Sequence, residues 1–76
     1  MNDKRRKTLA RAEELLKTAL KIVTDALEKE QDSRDNIPES LEDSNMAVRM
    51  DEAIDALDDA VAQIEEALDS ICKASA

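Results

Sequence analysis

Eight carboxylates, Asp51, Glu52, Asp55, Asp58, Asp59, Glu65, Glu66 and Asp69, are the residues of this chain best placed to do chemistry. Their spacing puts them on one side of a helix, where groups three or four positions apart lie roughly 5–6 Å from one another. Such a strip has three uses. It can be a solvated outer face, it can hold Mg²⁺ or Ca²⁺, or it can imitate the charge spacing of a nucleic-acid backbone. In the third case Asp51, Asp55, Asp58, Asp59, Glu65, Glu66 and Asp69 would occupy a basic surface on another protein, steered there by a net charge of -8. A helix offers no enclosing cage for a cation, and the Glu-x-x-His pattern of di-iron bundles is absent. No metal and no cofactor is expected.

Other chemistry is excluded more sharply. The chain has no histidine, hence no imidazole base, and no glycine, hence no phosphate-cradling loop of the usual kind. Its one thiol, Cys72, lies near the end of the sequence with no histidine to activate it. A disulfide between two copies under oxidation is the one role its position suggests. The reading is therefore non-enzymatic. The basic run Lys4-Arg5-Arg6-Lys7 could touch a few phosphates, but no aromatic side chain exists to stack on bases. Weak nucleic-acid binding through this run ranks third among the functions considered.

The elements that position these groups are helices. With no glycine, one proline and no aromatic residue in 76, strands and tight hairpin turns lack their favoured residues, while Ala, Leu, Glu, Lys and Arg dominate. The periodicity predicts helix 1 over about 3–31, capped by Asn2 or Asp3, and helix 2 over about 45–74, capped by Asp43 or Ser44. The loop, 32–43, carries Pro38, which forbids a continuous helix. Asn36 is read as the cap of one short turn, with Ile37 and Leu41 folding down over the end of the helix pair. The whole, 1–76, is one all-α domain, an antiparallel two-helix hairpin of coiled-coil character.

Helix 2 repeats every seven residues. With Leu57, Ile64 and Ile71 at position a, alanines 53, 60 and 67 fall at d, and Ile54, Val61 and Leu68 at e. In helix 1 the same frame puts Leu9, Leu16 and Val23 at a, alanines 12, 19 and 26 at d, Leu20 and Leu27 at e, and Leu15 and Ile22 at g. An a/d seam with alanine at d would draw the two axes close together. Its flanks at e and g would then remain uncovered. Burying an aliphatic side chain is worth roughly 1.5–3 kcal/mol, so the expectation is a homodimer, two hairpins forming a four-helix bundle. Its self-association residues would be Leu15, Leu16, Ile22, Val23, Ile54, Leu57, Val61 and Ile64.

Charge divides unevenly. Residues 1–31 hold eight basic and six acidic side chains, and residues 32–76 hold three and thirteen. All eight helix-2 carboxylates fall at b, c or f, away from the apolar stripe. An antiparallel hairpin would set Lys4 to Lys7 and Arg11 near Glu65, Glu66 and Asp69. No apolar run exceeds three residues, which excludes a membrane span of roughly 20. The basic start lacks the apolar stretch of a signal peptide. With one cysteine and no internal disulfide, cytoplasmic residence is the expectation.

Two stretches, DNIPESL at 35–41 and EAIDALDDAVAQIEEALDSI at 52–71, together resemble short acidic helical proteins of bacteriophages and prophages of Gram-positive bacteria. The likeness covers the loop and helix 2, a little over half of the chain. It implies a phage accessory protein and assigns no residue a role. On this footing the leading function is protein–protein interaction, with the acidic face binding or inhibiting a host protein. The alternative is a self-associating structural bundle whose apolar stripe carries its function.

Overall fold

The computed structural model describes residues 1–76 as two long helices joined by a nine-residue connection. Helix α1 spans Asp3–Asp35 and helix α2 spans Asn45–Ser75. Both start where a short polar side chain can satisfy a free amide. The Asn2 carboxamide oxygen accepts from the Arg5 N–H at 2.9 Å, and the Ser44 hydroxyl accepts from the Ala47 N–H at 3.2 Å.

Helix α1 outruns its predicted end by four residues. The sequence from Gln31 to Asp35 has no apolar periodicity, yet Arg34 lies near the helix's negative dipole end and favours its continuation. Asn36 ends α1 instead of capping a later turn: its N–H donates back to the Asp32 and Arg34 carbonyls. The short 3₁₀ turn α-to-α, Glu39–Leu41, follows Pro38, whose fixed φ of -58° suits its entry. Ile37 is half-buried as expected, but Leu41 is exposed and does not fold over the pair.

The helices are antiparallel. Arg34 meets Asp51 at one end and Arg6 meets Ser75 at the other, so position 20 lies roughly level with position 63. The result is a rod 59 Å long and about 14 Å by 13 Å across. Neither helix is long and apolar enough to cross a membrane.

The seam between the helices is not the expected a/d pair of rows. In α2 every a and e residue from Ala47 to Ile71 is buried or half-buried, and in α1 the run Leu16, Leu20, Val23, Leu27 follows the same rows. On row d Ala12, Ala19, Ala53, Ala60 and Ala67 are half-buried and Ala26 is exposed, whereas both buried residues, Ala47 and Leu27 (8% exposed), lie on row e. Rows a and e alternate by four and three residues as regularly as a and d do. They carry the large aliphatics, and burying Leu, Ile or Val gains more than burying Ala. Ala53, Ala60 and Ala67 consequently flank the seam instead of forming its centre.

This seam buries little. Leu27 and Ala47 (1% exposed) are the two buried residues. The chain exposes 5794 Å², where a compact monomer of its mass would expose about 4,600 Å².

Leu27 is the one large side chain that the pair encloses. Leu27→Ala should therefore cost about 2–3 kcal/mol, measured by urea denaturation. Leu15→Ala, on the exposed g row, should cost less than about 0.5 kcal/mol in the isolated hairpin.

Candidate functional site: two opposite faces

Choosing a and e for the seam gives the hairpin two sides of different character. Corresponding flanks of two antiparallel helices lie on the same side of the pair. Rows d and g of both helices thus make one face, and row b borders the other, with c and f outermost.

The d/g face is built from Ala12, Ala19, Ala26, Leu15 and Ile22 on α1, and from Met46, Ala53, Ala56, Ala60, Gln63, Ala67, Ser70 and Ala74 on α2. Not one of the chain's 19 carboxylates falls on these two rows of either helix. Its only charges are Arg5, Lys29 and Arg49, all toward its ends. Leu15 and Ile22 stand out from it, 59% and 64% exposed. Beside them the small alanines leave a shallow surface. An open depression of about 350 Å³ lies between the helices at Ala26, Lys29, Glu30, Ser33 and Leu57.

The other predicted self-association residues lie elsewhere. Leu16, Val23, Ile54, Leu57, Val61 and Ile64 are half-buried seam residues, already engaged across the hairpin. The uncovered stripe expected at e is therefore absent, because row e is the seam. Of the eight, Leu15 and Ile22 remain free.

The opposite side carries the acids. Asp55, Asp58, Asp59, Glu65 and Glu66 are exposed and have no cation within ion-pair distance. Asp69 pairs with Lys73 one turn on, at 2.8 Å, and both are well exposed. No three carboxylates converge on a point able to hold a metal ion. Cys72 is exposed and free on this side.

Asp51 is different. Its carboxylate accepts from Arg34 Nε at 2.8 Å and from a second guanidinium nitrogen at 3.5 Å, while Arg34 also reaches Glu42 at 3.4 Å. Arg34 thus ties α1 to the loop and to α2. Its hydrogen bond to Asp51 raises the guanidinium pKa above its ordinary value, so it stays charged at any pH the fold survives. Sequence reasoning missed this residue, having placed it in the loop. The signal available was a lone arginine among Asp32, Asp35, Glu42 and Asp43.

The basic start does not pair with α2 acids. Arg6 binds Asp3, in its own turn, at 3.2 Å and donates to the Ser75 carbonyl at 3.2 Å. Lys4, Arg5, Lys7 and Arg11 make no ion pair. Elsewhere on α1, a hydrogen bond from Lys29 to Asp25 raises the lysine pKa. That contribution to stability is complete below the ordinary lysine value of 10.5 and is lost as pH climbs through the raised one.

Comparison with protein-family models, with curated proteins and with solved structures found no match.

Three outcomes follow from these charges. Arg34→Ala and Asp51→Ala should each lower the melting temperature, and the double variant should fall no further than Arg34→Ala alone, since the two changes remove one interaction. The melting temperature of the native chain should rise between 20 and 300 mM salt as repulsion on the acidic side is screened. Asp55→Lys/Asp59→Lys should melt several degrees higher at low salt and respond less to added salt.

Proposed function

We propose that this chain is a non-enzymatic interaction protein that docks onto another helical surface through its d/g face. The observation that carries this reading is the sorting of charge. A quarter of all residues are acidic, yet rows d and g carry no carboxylate and present alanines with two projecting aliphatics. Half-buried Glu30 of row a is the one carboxylate that lines the depression beside them. Charge depletion with apolar anchors is the composition of an interface centre. Alanine rows let a second helix approach closely, and Leu15 and Ile22 supply side chains able to fill a partner's gaps. The acids on the other side then keep the rod soluble and steer its encounters.

A second reading uses the acidic side as the contact, in the manner of a phage accessory protein that occupies a basic host surface; the six unpaired α2 carboxylates, Glu52 with the five above, favour it. The two readings separate in one experiment. A photo-crosslinking amino acid replaces Ile22 in one variant and Asp55 in another, both expressed in bacterial cells. Crosslinks to any protein from position 22 and none from 55 support docking through the d/g face. Crosslinks from 55 alone replace it with the acidic-side reading, and none from either position removes both.

A further inference from the structure

Charge is sorted along the rod as well as around it. The open half, residues 1–20 and 63–76, holds seven basic and six acidic side chains. The loop half, residues 21–62, holds four basic and thirteen acidic. One end is thus close to neutral at +1 and the other carries -9. Arg34 already spends its charge within the loop half, on Asp51 and Glu42. Of the seven cations that make no ion pair, five (Lys4, Arg5, Lys7, Arg11 and Lys17) lie in the open half and two (Lys21 and Arg49) in the loop half.

Building on the d/g face as the docking surface, we propose that its occupant is a second copy of this chain, laid face to face with the two loops at opposite ends. Three observations support this. The first is area. The hairpin exposes 5794 Å², about 1,200 Å² more than a compact monomer of its mass. A stable interface of ordinary size takes about 800 Å² from each partner, so the surplus is enough for one copy to cover.

The second is charge. Loops at the same end would set one -9 half directly against another. Loops at opposite ends set each acidic half against the other copy's nearly neutral open half and its five free cations. That repulsion acts over separations comparable with the screening length of about 8 Å at physiological salt, so orientation is decided by it even though the contact itself is apolar.

The third is shape. A two-fold axis across the rod, set at the level between positions 20 and 21, stacks α1 on α1 in opposite directions. Leu15 then comes level with Ala26 of the second copy, and Ile22 with Ala19. Each projecting side chain meets a small one. On α2 alanines meet alanines, Ala60 opposite Ala67. With the loops together, α1 would instead lie on α2, with Leu15 close to the level of Ala67 and Ile22 to that of Ala60. Shape thus suits a second copy in either direction, and charge decides between them.

Orientation can be read as a distance. Ser40, exposed in the connection, is changed to cysteine (Ser40→Cys) in a chain that also carries Cys72→Ser. A nitroxide is attached, and the pair distance is measured by pulsed electron resonance at about 100 µM protein. Opposed loops place the two labels on the order of 50 Å apart, from a rise of 1.5 Å per helical residue. A distance below about 25 Å overturns the orientation, since the loops are then together. A monomer by light scattering at the same concentration overturns the second copy as occupant. Crosslinking from position 22 to a different protein would in that case leave the docking face itself standing. Ile22→Lys provides the control: it should abolish the long distance while circular dichroism shows helicity unchanged.

Discussion

Two helices can bury only one stripe each against the other, and every other property of this hairpin follows from what that stripe takes. Rows a and e hold nearly all of the large aliphatic side chains, and the seam uses them both. No aromatic ring is present to widen the contact, so even the seam stays half-open and two residues alone are buried. A chain that spends its best apolar rows on holding itself together has only small ones left to offer outside. The alanines of row d and the two aliphatics of row g are that remainder, and they make a face that is flat and free of carboxylates.

The same choice of seam fixes the electrostatics. Rows b, c and f become the far side and receive all eight α2 carboxylates. Neutralisation across the helices is sparse: Arg34 at the loop end is the one side chain that bridges the helices through ion pairs. Exposed pairs of this type contribute little each, but Arg34 is only 19% exposed and fixes three segments at once. It sets the register at the closed end while the apolar seam carries it onward. The remaining acids repel one another over the far side, which favours solubility over compactness.

Fold class, helix number, the proline-bearing connection and each N-cap to within two neighbouring residues were legible in the sequence because each has a local cause. Composition excludes strands, Asn2 and Ser44 are good caps, and Pro38 interrupts a helix. The seam was less legible. Three neighbouring rows, a, d and e, are apolar in both helices, and either a/d or a/e satisfies the spacing of a helix pair. Side-chain size breaks the tie, and a frame that places alanine at the centre reads it the wrong way. That single shift moved Ile54 and Val61 from the outer flank into the seam and left Leu15 and Ile22 as the exposed pair. Residues 31–35 were unreadable for another reason. They have no periodicity, and their helicity depends on Arg34 finding Asp51 seventeen residues later.

The order in which contacts nest along the hairpin gives it a direction. Arg34 and Asp51 are 17 residues apart in sequence, whereas Arg6 and Ser75 are 69 apart, and each outer pair encloses every inner one. Once the connection has closed, each further seam contact adds only a short extra loop, so assembly can run as a zipper from the closed end outward at little entropic cost per step. Opening runs the other way. The two chain ends separate first, with Arg6 parting from the Ser75 carbonyl while the Arg34 clamp still holds. The rod therefore has a firm end and a loose one, and seven of its eleven cations ride on the loose half.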